Sequence, residues 1–269
     1  MSYWGDQVIT NLFRATPFIG DEVVVWLRGG FSIGDATLTR FFALHYLFPF
    51  LIVGVVLIHL IALHSVKSSN PSGINLSEKD NIPFHPYFTA KDFYGLGVFL
   101  IVFCYVVFFM PEFFIEADNN IPANPLKTPT HIVPEWYFLP FYAILRSIPD
   151  LLGGVIAMGL SVMIFAAMPF LDRSSIPGGA RYRPFYKTLF FVFAIDVIVL
   201  GYVGAKPPTG SLVVIGQVAT FIYFGLFALL PFLSIKEDKW LRKRGLPAEV
   251  DALIKGESEE IEKKAKKNT

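Results

Sequence analysis

Cysteine and charge are both scarce in this chain. The one cysteine, Cys104, lies inside an apolar run, which excludes a disulfide framework and a cysteine-based metal site. Only 17% of the 269 residues are charged, whereas 54% are apolar, a balance that soluble domains rarely reach. The formal net charge of +1 says little by itself, because the charge is unevenly placed, and no nucleic acid partner is expected. Internal repeats and low-complexity segments are missing as well. The amino terminus, Met1-Ser2-Tyr3-Trp4-Gly5-Asp6, has no basic stretch leading into an apolar one, so it does not read as a secretory signal.

What is there in quantity is apolar sequence, including 28 phenylalanines. Stretches free of Asp, Glu, Lys and Arg run over 41–66, 93–111 and 151–171. Two more follow at 188–205, interrupted only by Asp196, and at 207–235, whose apolar part begins near Ser211 but which has no charge until Lys236. At about 1.5 Å per helical residue each crosses, or nearly crosses, a hydrocarbon core of about 30 Å. The expected fold is therefore all-α, a polytopic transmembrane bundle of five spans. A single such segment can be a buried soluble helix, but five in succession argue for a membrane.

Charge placement sets an orientation. Of 23 Lys and Arg, only Arg14, Arg28, Arg40, Lys127, Arg146 and Lys206 fall on one side of these spans. The positive-inside rule puts that side, with the amino terminus and the loop 112–150, outside, and the charged tail 236–269 in the cytoplasm or matrix. Within residues 1–36, the pairs Val8-Ile9, Leu12-Phe13, Val23-Val24 and Trp26-Leu27 flank a Pro17–Gly20 break. They read as two amphipathic helices on the outer interface, the second stopped by Gly29-Gly30, with Asp35 as the cap of the first span. Residues 37–66 then form the first span and 67–235 carry the other four. The tail from Lys236 reads as a short interfacial helix followed by disorder.

The sharpest local signal lies in the first span, where His45 and His59 stand fourteen residues apart. At about 100° per residue the second imidazole returns to within about 40° of the first, about 21 Å further along the axis. Ionisable groups inside a span are costly and tend to be functional. Imidazole is also a good axial ligand for haem iron, so the pair suits two haems stacked across the bilayer. Alternatively, each histidine hydrogen-bonds a neighbouring helix. Bis-imidazole ligation needs a second histidine per iron, and His64, His85 and His131 sit at the inner edge, in the inner loop and in the outer loop. The chain is therefore not expected to close either ligand set by itself.

Between the second and third spans the chain reads Pro134-Glu135-Trp136-Tyr137. With the His45/His59 pair and Asn124-Pro125-Leu126, this closely resembles mitochondrial and proteobacterial cytochrome b. Further agreement comes from Thr37-Leu38-Thr39-Arg40-Phe41-Phe42, Ile82-Pro83-Phe84-His85-Pro86-Tyr87 and Ala143-Ile144-Leu145-Arg146-Ser147-Ile148-Pro149. The resemblance runs without a gap over roughly residues 1–235. Plastid-type relatives split the protein after the fourth span and usually carry Asp in the tetrapeptide, so Glu135 points to the respiratory form.

The resemblance implies the carboxy-terminal part of the family only, the last five of eight spans, with the missing amino-terminal spans supplying the partner histidines. It implies two b-type haems, the low-potential one on His45 and the high-potential one on His59. It also implies an outer quinol site with Glu135 and Tyr142 as catalytic residues. There a carboxylate that rotates between substrate and water is a natural acceptor for quinol protons, although a Pro-Glu-Trp-Tyr run is also an ordinary turn into an interfacial aromatic segment. His64, Ser68, Lys91 and Asp92 match the inner quinone site, and the same residues are also plain helix-end polar groups. Asp196 is taken as a buried, hydrogen-bonded carboxylate. The implied partners are an iron–sulfur subunit, a cytochrome c-type subunit, quinone and lipid in a dimeric complex of the bacterial inner (plasma) membrane or, less expected, the mitochondrial one. Three rivals stand beside this reading. The first is a haemless fragment and the second is one half of a split cytochrome b. The third is a transporter or channel, disfavoured because no pair of broken helices marks a midplane site.

Overall fold

A computed structural model describes residues 2–66, 82–114, 120–125, 127, 129, 132–176 and 179–245. Ser68, His131, the inner-loop charges Lys67 and Lys79 and the tail from 246 onward lie outside the described residues. The described residues fall into two compact units, one within Asn75–Leu126 and the other within Ser2–Ile74 and Lys127–Thr269.

In the larger unit, α1 (Ser2–Leu12) and α2 (Gly20–Arg28) are the two short helices expected before the first span. Gly29 ends α2 at φ +74°, where a side chain would be strained, and the Gly29 and Gly30 N–H groups both close back on the Val25 carbonyl. Arg28 ties these helices together. Its Nε donates to Thr10 Oγ1 and its Nη2 to Asn11 Oδ1, both at 2.9 Å. Burial, with Arg14 nearby, pulls this guanidinium below its ordinary pKa. The first span, α3 (Asp35–Val66), begins one residue earlier than a cap at Asp35 allows. The Leu38 N–H reaches the Gly34 carbonyl, so Gly34 holds the capping position and Asp35 opens the first turn, where its charge still suits the helix dipole.

After α5 (Leu139–Ser147) come α6 (Leu151–Met163), a 3-10 stretch over Ile164–Ala167 and α7 (Met168–Leu171), which together make one span. The last two spans are α8 (Pro184–Gly204) and α9 (Ser211–Arg244). Asp150 caps α6, its Oδ2 accepting from the Gly153 N–H at 2.6 Å. The core joins α5, α6, α8 and α9 through Ile144, Ala157, Leu200, Val203, Tyr223 and Phe227. Tyr223 satisfies its hydroxyl by donating to the Ser161 carbonyl at 2.7 Å, as a polar group inside a span must.

α9 runs eight residues past Lys236, so the expected break into a separate interfacial helix is not found there. Charged residues continue the helix because they are paired. Glu237 is fully buried and Asp238 nearly so. Glu237 Oε1 accepts from the Phe185 and Tyr186 N–H groups at the start of α8, and its Oε2 pairs with Arg183 Nε at 3.2 Å. Asp172 takes the other edge of Arg183 at 2.7 and 2.8 Å. Asp238 accepts from Ser174 Oγ, Ser175 N–H and Ser175 Oγ. Burial alone would lower the Arg183 pKa, but Asp172 and then Glu237 outweigh it and hold the guanidinium above its ordinary value.

In the smaller unit, a π-helical turn over Phe84–Phe88 leads into α4 (Thr89–Phe109), the second span. Among the described residues five helices are thus long and apolar enough to cross a membrane, and no strand occurs. The fold is a helical membrane bundle.

Candidate functional site

α3 is exposed along its whole apolar length, and His45 and His59 are exposed on it. Helix geometry puts the two imidazoles on one face at depths about 21 Å apart. Neither has a hydrogen-bond partner among the described residues, which leaves a ring nitrogen of each free for a ligand bond. Pro49 lies between them, one turn after His45. It has no N–H to give to the His45 carbonyl, so the helix loses one rung there. No cluster of three metal-ligating side chains occurs among the described residues. An exposed imidazole with a free ring nitrogen has the chemistry to bind a haem iron.

Around α5 the tetrapeptide forms the turn that starts the helix. The Phe138 N–H bonds the Glu135 carbonyl at 2.9 Å, and the Leu139 N–H bonds the Trp136 carbonyl at 3.4 Å. The turn leaves Glu135, Trp136 and Tyr137 exposed. The Glu135 carboxylate has no hydrogen-bond or ion-pair partner among the described residues. Tyr142 is half-buried one turn into α5, and its hydroxyl donates a long bond of 3.4 Å to the Ile132 carbonyl. A hydroxyl held that loosely can turn to a substrate oxygen.

α5 is seated on three glycines, one from each neighbouring span. Gly204 of α8 abuts the Leu139 carbonyl. A Cβ on Gly154 of α6 would come within 2.6 Å of the Leu145 carbonyl, and one on Gly216 of α9 within 2.7 Å of Ser147 Oγ. Small residues let helices approach to backbone contact, the usual means of packing inside a membrane. The far end of α5 is fastened by Gln217, whose Nε2 donates to the Ser147 carbonyl at 3.2 Å. Arg146 Nη2 donates to the carbonyls of Val203, Gly204 and Lys206 at 2.8, 3.0 and 3.0 Å, closing the end of α8. Neither these glycines nor Arg146 was picked out as functional from sequence. Only the spacing of four between Tyr142 and Arg146 hints that they share a helix face. An apolar groove of about 480 Å³ beside Ser147, Ile156, Leu160 and Phe221 touches neither Glu135 nor Tyr142, so it is separate from this site.

The inner-site candidates are divided. His64 is exposed near the end of α3 in the larger unit, while Lys91 and Asp92 are exposed in the first turn of α4 in the smaller one. Asp196, expected to be buried and hydrogen-bonded, is buried at 6% exposure, but its Oδ2 finds no partner among the described residues. The side chains beside it on α8 and α9 include the aliphatic Val192, Val199, Val218 and Ile222.

Two family models match this sequence. Residues 1–67 match the model described as cytochrome b/b6/petB, and residues 122–224 match that of the carboxy-terminal cytochrome b/b6/petD domain. The match over residues 1–67 corrects the expectation that only the carboxy-terminal part of the family is represented. Over 240 residues the chain is 54% identical to cytochrome b of Rickettsia prowazekii, covering 89% of this chain and 60% of that one. It is 56% identical over 231 residues to cytochrome b of Rhodospirillum rubrum, covering 86% and 57%. Among solved structures, a chain of a hyperthermophilic respiratory Complex III superposes with a TM-score of 0.80 at 36% identity, covering 88% of this chain and 64% of that one. The chain thus spans about three fifths of the length of the relatives it matches.

Proposed function

This chain belongs to the cytochrome b family, and on that premise we propose that it serves as a membrane subunit of a quinol–cytochrome c reductase, oxidising quinol at the outer face. The observation that carries the proposal is the pair of unpartnered imidazoles, His45 and His59, on one exposed face of α3. His45 would hold the outer, low-potential haem and His59 the inner, high-potential one. Each iron would take its second imidazole from a histidine not in this chain. When bound, such haems supply one-electron carriers at two depths of the membrane.

At the outer site Glu135 accepts a proton as the quinol loses its electrons, then turns to water to release it. Tyr142 hydrogen-bonds a ring oxygen and narrows the pocket. One electron leaves for an iron–sulfur subunit that feeds a cytochrome c-type subunit, and the other moves inward. At the inner face His64, Ser68, Lys91 and Asp92 orient a quinone and deliver protons to it as it is reduced. The assembly is a dimer in the inner membrane of a bacterium, with the loop 112–150 outside. This reading is supported by the free Glu135 carboxylate, the charge asymmetry and the identity to bacterial relatives.

The deciding measurement is a reduced-minus-oxidised spectrum, with a quinol–cytochrome c reductase assay, on membranes whose reductase contains this sequence as its sole source of residues 1–269. Two b-type bands and quinol-driven reduction of cytochrome c are expected. An assembled complex lacking both would overturn the proposal and favour a haemless, non-catalytic fragment.

A further inference from the structure

We infer that Arg146 is a positioning residue for Tyr142, fixing the phenol ring against the outer end of α8. The inference rests on the reading of Tyr142 as part of the outer quinol site. The guanidinium carbon of Arg146 lies 4.5 Å from the centroid of the Tyr142 ring, over its face. Residues four apart on a helix share a face, so α5 itself brings the two together. What makes the arrangement more than a local contact is the other side of the guanidinium. Its Nη2 is held by the carbonyls of Val203, Gly204 and Lys206 at 2.8–3.0 Å. These belong to the last turn of α8 and the residues just after it, where carbonyls run short of helical partners, though that of Val203 also accepts from the Lys206 N–H, and where the dipole favours a cation.

The anchor is main chain, which cannot swing away as a carboxylate side chain can. The Arg146 Nε–H has no acceptor among the described residues, so the three carbonyls and the ring are what hold the group. The seat is rigid as well, because Gly204, one of the three acceptors, also abuts the Leu139 carbonyl at the start of α5. The ring of Tyr142 is thereby fixed from one face, and among the described residues its hydroxyl has only the 3.4 Å bond to the Ile132 carbonyl. A fixed ring with a loosely held hydroxyl is what a substrate-orienting phenol needs, since the ordering cost is met before the quinol arrives. Arginine suits the task because its planar group presents a face to the ring and an edge to the carbonyls at once. A lysine ammonium is a point charge with neither.

The test is a double-mutant cycle in the complete reductase assembly, with haem content measured on every variant. Arg146→Gln, Arg146→Lys and Tyr142→Leu are made singly, and each Arg146 variant is combined with Tyr142→Leu. Quinol kcat and KM are read at the outer site, with inner-site quinone reduction as the internal control. Both Arg146 variants are expected to lower outer-site kcat/KM by about two- to fivefold, the range of an exposed cation–π contact, while leaving inner-site rates unchanged. In the Tyr142→Leu background that loss should disappear, because there is no ring left to position. If Arg146→Gln fails to assemble for want of its α8 contacts, the Arg146→Lys arm, which keeps the charge, gives the decision alone. Equal losses with and without the Tyr142 ring, or full rescue by lysine, would overturn the inference while leaving the outer-site reading intact. If Tyr142→Leu and Glu135→Gln both oxidise quinol at the wild-type rate, the outer-site reading falls, and this inference with it.

Discussion

Gly204 of α8 and Leu139 of α5 meet backbone to backbone, the glycine α-carbon against the leucine carbonyl oxygen with no room for a Cβ between them. The obstacle is main chain, so a side chain at 204 has to push α5 itself. Gly204→Ala is therefore expected to destabilise the assembly by about 1–3 kcal/mol, the usual cost of overpacking. It should also slow outer-site quinol oxidation, because α5 carries Tyr142. Gly225→Ala on α9, where nothing lies within 4 Å, is the control and should change neither. Thermal unfolding of the purified assembly and its turnover read both effects. An unperturbed Gly204→Ala protein would show that α5 is not seated as described.

The two histidines of α3 should separate by depth. In the complete assembly His45→Leu is expected to remove the outer haem alone and His59→Leu the inner one alone, since about 21 Å of helix lies between them. Redox titration of the b bands distinguishes the two. Loss of the same band in both variants would contradict the assignment.

Expressed with no other polypeptide, the 269-residue chain is expected to give no stable low-spin b-type spectrum. Each iron would find one imidazole on α3 and none opposite it. Two resolved bis-imidazole bands from the purified chain would refute this.

Glu135→Gln should slow quinol oxidation far more than it weakens quinol binding. Glutamine keeps the shape and a hydrogen bond but cannot take the proton, and general-base contributions run to about 10²–10⁴-fold. Steady-state rates across pH, with the inner site inhibited, make the comparison. A structural role would give a loss independent of pH that follows protein abundance, and a wild-type rate at every pH would remove Glu135 from the mechanism.

Glu237→Ala should cost about 1–3 kcal/mol in thermal unfolding, because it leaves the buried Arg183 Nε–H and two helix-start N–H groups without an acceptor, while Asp172 still pairs with Arg183. Glu237→Gln retains an acceptor and should cost less. The pH dependence has a definite sign. Arg183 is held above its ordinary pKa, so its stabilisation is complete below the unfolded value and is lost as pH rises through the folded one. Across the physiological range this contribution should stay flat.

Four of the spans were legible because a charge-free run of eighteen or more residues has few other uses, and the fifth, 188–205, breaks that pattern only at Asp196. The far end of α9 was not. Lys236 ends the charge-free run, and nothing local says that Glu237 and Asp238 will be buried against Arg183, Ser174 and Ser175, more than fifty residues away in sequence. The same division holds at the candidate site. His45 and His59 declare themselves by helical period, and Glu135 by its motif. Arg146 reads in sequence as one more outer-side charge, because its role depends on carbonyls nearly sixty residues away. Which glycine faces which carbonyl is likewise a property of packing.

α8 is closed at both ends by groups that it does not itself carry. Glu237, from the span after it, covers the N–H groups at its start, and Arg146, from the helix before the previous span, covers the carbonyls at its finish. A segment completed by both earlier and later chain is finished late during synthesis. α8 leaves the translocation machinery with its first turn open and stays so until α9 has followed it to residue 237. A ribosome stalled between residues 205 and 236 should therefore present an inserted bundle still open to proteolysis at the start of α8, one that locks only when the last span arrives.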